Sequence, residues 1–295
     1  MNLEKLKRKV FFKIAYRLLS SLPLLASRRR GGIDLKNFPH QKEYETCLVI
    51  GNGPSLTKSI PEILHRAKTA DVVTVNHFSE DSLFGEIKPT KHVLLDSYFW
   101  ADDAAQELIG KREKFYTSLR KVNWPLKLYI PSYADQKYVC KKVTNANISL
   151  VFFGGCPVTH IPLKIPTSLT VNLYETSNII PPVCNVLIYG VYIAVLSGYK
   201  EIEIYGADLS FHLDVEVDQA SNDLLVSYSH YYGKTEMVRW FKNPQRTQPF
   251  TMHELMSLTA DTYYAHKSIY LMAKNRNIKI YNKSFFSIID VYPRT

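Results

Sequence analysis

A chain of 295 residues and 34.0 kDa, 46% hydrophobic, holds enough apolar material for one large core or two modest ones. Charged residues at 22% and aromatic residues at 13% exclude a disordered, collagenous or low-complexity protein. The formal charge is +10, but residues 1–30 carry nine Lys/Arg against Glu4, a net of +8, which leaves +2 for the rest. Basicity confined to one end argues against a nucleic-acid-binding face spread over the fold.

Taken in chain order, the first element is that basic end. Its longest apolar stretch, Leu18 to Ala26, is interrupted by Ser20, Ser21 and Pro23 and falls far short of the ~20 residues that cross a bilayer. Lys13 and Arg17 intrude where the apolar run of a signal peptide belongs, and Arg28 to Arg30 follow the small residues Ala26-Ser27. On a helical wheel Leu3, Val10, Phe11, Ile14 and Leu18 share a broad face that Lys7 interrupts. The expectation is a basic amphipathic segment lying on an anionic membrane surface, with a solvated tail or a helix packed on the body as the alternatives.

An irregular stretch, 31–43, precedes alternating strands and helices in a domain expected over 44–295. The pattern predicts a strand over 45–50, ending in Gly51-Asn52-Gly53-Pro54-Ser55, and a helix over 59–68. Strands follow at 71–78 and 91–98, a helix at 101–114 and a strand at 126–131. An apolar helix is expected over 185–198, closed by Gly198, and the clearest strand of all over 200–209. Residues 212–245 are polar and tyrosine-rich and read as a small lid; a long helix at 254–275 and a strand at 278–281 close the chain. This alternation predicts an α/β fold: a Rossmann-like parallel sheet with helices on both faces, binding ligands at strand carboxyl ends. Cys47, Cys140, Cys156 and Cys184 are too scattered for a zinc site or a disulfide scaffold, and reduced, largely buried thiols of a cytoplasmic protein are expected.

The candidate chemistry sits at those strand ends. Gly51 and Gly53 allow close backbone approach, and the helix after Pro54 and Ser55 offers free N–H groups to an anion; a tight strand-to-helix turn with no ligand is the alternative. Asn52 between them can offer an amide to phosphate or base, although Leu56 replaces the third glycine of a dinucleotide fingerprint and no P-loop lysine is present. Asn76 and Asp96 end the second and third strands; Asn76 reads as a ligand contact or a turn residue. Asp208, in Gly206-Ala207-Asp208, either binds a hydroxyl or caps the next turn. His230, set among Tyr228, Tyr231 and Tyr232, is a candidate general base whose tyrosines can donate to a departing phosphate; a surface loop of stacked aromatics is the alternative.

In order, Gly51-Asn52-Gly53-Pro54-Ser55-Leu56, Val75-Asn76-His77-Phe78, Ser197-Gly198-Tyr199-Lys200-Glu201-Ile202, Gly206-Ala207-Asp208 and Ser229-His230-Tyr231 resemble the bacterial family 42 sialyltransferases. They are also similar to the hydroxymethylpterin diphosphokinase-like proteins of surface-polysaccharide gene clusters. The resemblance covers roughly residues 45–290 and implies a single GT-A-like nucleotide-binding domain with a small lid. It implies a metal-independent glycosyltransferase needing no cofactor, with a CMP-activated sialic acid or related 2-keto acid sugar as donor and a glycan or lipid-linked glycan as acceptor. It places Asn52 and its glycines at the donor nucleotide, Asn76 at the donor phosphate and His230 as the base. The paired tyrosines that follow the Gly-x-Asp strand in the family are replaced near the first by Ser210 and Phe211, which leaves Tyr228, Tyr231 or Tyr232 as substitutes. Asp96 stands in place of an asparagine, and Asn185 is the polar residue nearest an absent Ser-Gly at the start of the long helix. A peripheral location on the cytoplasmic face of the bacterial inner membrane is expected, with possible homo-oligomers. The competing expectations are a Mg-ATP-dependent pyrophosphokinase leaning on Asp96 and Asp208 as metal ligands, and a non-catalytic nucleotide-binding assembly protein.

Overall fold

The computed structural model describes Phe38 and residues 42–154, 156–157, 167–175, 179–182, 185–231 and 233–294. The basic segment 1–30 lies outside them. β1 (Thr46–Ile50) leads into α1 (Leu56–Arg66), β2 (Asp71–Val75) into α2 (Ser82–Ile87) and β3 (Lys91–Val93) into α3 (Gln106–Arg120). β4 (Leu126–Pro131), α4 (Gln136–Lys142), β5 (Ile148–Phe153), β6 (Cys156–Pro157), α5 (Thr167–Glu175) and β7 (Ile179–Ile180) follow. Then come α6 (Val186–Leu196), β8 (Glu201–Tyr205), β9 (Val215–Val217), β10 (Leu224–Val226), β11 (Ser229–His230), β12 (Gly233–Lys234) and β13 (Val238–Arg239). α7 (Met252–Asn275) and β14 (Lys279–Asn282) complete the described fold.

Seven strands pair in parallel in the order β14-β8-β1-β2-β3-β4-β5. The order reverses at β1: four successive strands step away on one side, and the chain returns to place β8 and β14 on the other. Each crossover must keep its right hand, so the helices before and after the reversal cover opposite faces. The packing follows. Leu48 and Ile50 of β1 join a cluster with Leu56 and Ile63 of α1, Leu83 and Phe84 of α2, and Phe115 and Leu119 of α3. Cys47 and Val49, their alternates, join α6 and the Ala265, Ile269 and Met272 face of α7. Burial on both faces is why these strands read as continuous apolar runs.

α6 is buried on nearly every side, from Leu187 to Leu196. Gly190 is what lets it approach the sheet, because a Cβ there would lie 3.0 Å from Val49 Cγ1. The side chain of Asn185 caps the helix by accepting from the Leu187 N–H at 2.8 Å. α7 starts with a reciprocal capping box, Thr251 N–H donating to Glu254 Oε2 at 2.9 Å.

Residues 212–245 form two small antiparallel sheets, β13-β10-β9 and β11-β12, around a satellite core of Leu224, Val226 and Leu255 with Tyr228, Trp240 and Phe250. They are tied to the main sheet's carboxyl end: Tyr231 N–H donates to Asn52 O at 3.0 Å, and Ala105 N–H to Pro244 O at 2.9 Å.

Several sequence expectations need correction. α1 begins at Leu56 rather than 59, because a distant carboxylate holds Ser55. β2 stops at Val75, where Asn76 turns to a φ of 44°, and β3 stops at Val93, short of 98. α3 occupies 106–120 rather than 101–114, since residues 101–105 form a turn anchored on Pro244. α2, α4 and β5 had no counterpart in the reading. Of the thiols, Cys47 is buried and pushed up by burial, whereas Cys140 is exposed.

Candidate active site

The reversal in strand order places two loops side by side at the carboxyl end of the sheet, one after β1 and one after β8. They are packed too tightly to leave a crevice between them. Gly53 N–H donates to Gly206 O at 2.9 Å, and Gly51 N–H to Tyr205 O at 2.8 Å. A Cβ on Gly53 would stand 2.1 Å from Asp208 Oδ2, and one on Gly51 2.6 Å from Gly206 O. The glycines therefore serve loop-to-loop contact. Asp208 takes the helix start that was expected to meet a ligand anion, accepting from Ser55 N–H at 3.0 Å and Ser55 Oγ at 2.7 Å. Pro54 is exposed in the same turn. Asn185 also lies at this end: Leu187, the residue whose N–H it caps, comes within 3.3 Å of the position of a Gly51 Cβ.

The other candidates gather over the ends of β1, β2 and β3. Asn76 Nδ2 donates to Asp96 Oδ2 at 2.7 Å, and its Oδ1 accepts from Leu95 N–H at 3.3 Å. Its unusual backbone is held from below, where His92 Nε2 donates to Asn76 O at 2.8 Å. That bond fixes the tautomer, so His92 Nδ1 accepts from Thr74 Oγ1 at 2.7 Å, and burial pushes the ring down to about 3. Asn52 faces Asn76's strand, its Nδ2 donating weakly to Val75 O at 3.5 Å. Asn52 Oδ1 is buried with no partner among the described residues, an acceptor left for a ligand donor.

The 212–245 excursion brings an imidazole to this cluster: Tyr231 N–H, next to His230, donates to Asn52 O at 3.0 Å. His230 stacks on Tyr228 with ring centroids 6.3 Å apart and planes within 3°. Burial holds His230 below the ordinary histidine value, with a hydrogen bond to the Asn52 carbonyl acting in the opposite direction. An imidazole neutral at pH 7 can take up a proton, which makes His230 a candidate base. Burial raises Asp96 above the usual carboxylate range, partly offset by His77 and by the Asn76 amide. Burial and the Asp96 charge likewise keep the Tyr228 hydroxyl protonated. Tyr231 packs on Phe78 at 5.8 Å and belongs to the core beneath α1. Tyr232 lies outside the described residues.

Four further residues belong here that single-sequence reasoning did not select. His77 bonds Glu80 through Nδ1 and the Tyr98 hydroxyl through Nε2, and its charge reaches both Asp96 and His230. Its place beside Asn76 was the available signal. Tyr133, just beyond β4, carries a buried hydroxyl with no partner among the described residues, and the Asp96 charge raises it further. Lys111 of α3 bears electrostatically on His230, and Arg246 on Tyr228; both pair with Glu107, at 3.0 and 2.5 Å. Asp96 and Asp208 are each engaged with a neighbour, Asn76 and Ser55, and among the described residues no three His, Cys, Asp or Glu side chains cluster as metal ligands.

No protein-family model matches the chain, and no curated protein does. Among solved structures, the chain is similar to the MAf glycosyltransferase from Magnetospirillum magneticum AMB-1, with 14% identity and a TM-score of 0.51. The match covers 92% of this chain and 38% of that one, so this chain spans about two fifths of that protein's length. BdcA in complex with NADPH matches at 13% identity over 82% of this chain and 70% of its own, with a TM-score of 0.26 that carries no argument. The first likeness is one of fold: this chain's α/β architecture, built on a seven-stranded parallel sheet, is similar to the structure of a glycosyltransferase.

Proposed function

We propose that the protein is a glycosyltransferase that moves a sialic acid or related 2-keto acid sugar from a CMP-activated donor to a hydroxyl of a surface glycan, with His230 as general base. The observation that carries this reading is a cluster of side chains. A neutral imidazole, the Asn52 and Asn76 amides, and the phenols Tyr228 and Tyr133 converge at the carboxyl ends of parallel strands.

In the proposed step the acceptor hydroxyl gives its proton to the neutral imidazole of His230 while its oxygen bonds to the anomeric carbon. The bond from that carbon to the phosphate oxygen breaks, and CMP departs with the electron pair. Tyr228 and Tyr133, protonated at neutral pH, donate to the developing phosphate charge, and Lys111 and Arg246 supply positive potential from the rim. Asn52 Oδ1 accepts a hydrogen from the nucleotide. A leaving group with one phosphate is within the means of such neutral donors, so a metal is not required. Residues 1–30 hold the body at an anionic membrane surface, where a lipid-linked acceptor would be met.

The test is thermal stabilisation across a nucleotide panel with and without EDTA. CMP raising Tm in both conditions is the expected outcome. Stabilisation by Mg-ATP alone would overturn the reading in favour of a pyrophosphokinase.

A further inference from the structure

Beyond the candidate site, the loop after β14 inverts the usual rule of burial. In Lys283-Ser284-Phe285-Phe286-Ser287 the two serines turn inward: Ser284 Oγ accepts from Ala207 N–H at 2.8 Å, and Ser287 Oγ donates to Ala207 O at 2.6 Å. The two phenylalanines turn outward, 65% and 48% exposed. Neighbouring bonds hold the loop in this pose. Ile288 N–H donates to Asp208 O at 3.2 Å and Arg294 to the carbonyls of Ser284 and Ser287, while Ser55 Oγ, which donates to Asp208, lies 3.3 Å from Phe286 O. Adjacent exposed aromatics on a rigid loop are costly in water and mark a contact surface.

The charges around the pair indicate its partner. Lys58 is exposed on α1 with its Nζ 3.9 Å above the Phe285 ring, Lys283 precedes the pair, and the exposed Arg294 braces the loop. The acid that follows in the chain, Asp290, bears on Tyr263 of α7. Apolar tips surrounded by Lys and Arg complement an anionic lipid surface, with the rings at the headgroup boundary and the cations at the phosphates. A sugar platform fits less well, because the Lys58 ammonium already covers one face of the Phe285 ring.

We infer that Phe285 and Phe286, with Lys58, Lys283 and Arg294, form an interfacial membrane-docking tip that presents the carboxyl end of the sheet to an anionic bilayer. β14 runs parallel to β8, so the tip and the candidate site lie at the same end of the sheet. This inference stands apart from the glycosyltransferase reading, since vesicle binding is measured without substrate.

The test uses the full chain and sedimentation with phosphatidylcholine vesicles, with and without phosphatidylglycerol. F285S/F286S is expected to weaken binding to the anionic vesicles by about tenfold. K58E/K283E is expected to weaken it comparably at low salt and much less at high salt. Tryptophan placed by Phe285→Trp should be quenched by brominated lipid in anionic vesicles and unaffected in neutral ones. Because both phenylalanines are exposed, Tm should match that of the parent chain. Unchanged vesicle binding by F285S/F286S together with unquenched F285W fluorescence would overturn the inference. So would either of two other results: loss of self-association in F285S/F286S without lipid, assigning the tip to a second copy, or a raised KM for a soluble acceptor with vesicle binding intact.

Discussion

At the scale of single residues, the account rests on how His230 is held. Stacked on Tyr228 and tied to the Asn52 carbonyl, the ring is neutral above its lowered pKa. The acid limb of kcat/KM should therefore have its midpoint below the ordinary histidine value of 6.5, activity being lost as pH falls through it. A pH–rate profile checks this, and a limb centred well above 6.5 contradicts it. His230→Ala should lower kcat by about 10²–10⁴ while CMP affinity changes little, as measured by turnover and titration calorimetry. Unchanged turnover would remove His230 from the chemistry. Asn52, Asn76 and His230 stood out in the sequence because polar residues interrupt apolar strands, or sit among phenols, at places a parallel sheet makes convergent. Tyr133, Lys111 and Arg246 did not, because what matters about them is contact across the chain: Arg246 meets Glu107 only when the excursion folds back on α3.

At the scale of elements, the Gly51-Asn52-Gly53 turn shows how a motif can be located correctly and still serve a different purpose. Its glycines were expected to admit a ligand, and they admit the β8 loop. Asp208 was left open between a hydroxyl ligand and a cap, and it braces the first turn of α1 from the far side of the reversal. That is also why α1 starts earlier than its own residues suggest. Gly53→Ala should destabilise the protein by about 1–3 kcal/mol, because the new methyl group meets Gly206 O at 2.6 Å as well as the Asp208 carboxylate. Gly85→Ala in α2 is the matched control: nothing lies within 4 Å of its Cβ position, and the helix should gain roughly 0.5–1 kcal/mol. Urea unfolding of both variants provides the comparison, and equal midpoints would contradict the packing argument. α2 and α4 were illegible for a local reason, being short and half-polar; β5 is apolar at five of its six positions and pairs with β4 along all six, so its signal was present in its own residues.

At the scale of the whole molecule, the parallel sheet was readable from alternation alone, since buried strands and amphipathic helices have different periods. Its strand order required the fold. Two buried histidines give the molecule an acid limit: His92 and His266 are both pushed down to about 3 by burial, while in the unfolded chain they take up protons near 6.5. Below 6.5 the unfolded state binds more protons, so each histidine withdraws about 2 kcal/mol of stability by roughly pH 5. Asp96 and Asp208, whose values burial raises, work in the opposite direction. Urea unfolding at pH 7 and pH 5 should show this loss, and a flat stability across that interval would contradict it. Among the described residues no helix is long and apolar enough to cross a membrane.

The central claim is met most directly by CMP release, measured for the full chain with a set of CMP-activated acids (sialic acid, Kdo and other nonulosonic acids) and a glycan acceptor. The account predicts CMP release from at least one of them in EDTA, suppressed by about 10²–10⁴ in His230→Ala. No release from any CMP donor, with AMP formed from Mg-ATP instead, would contradict it.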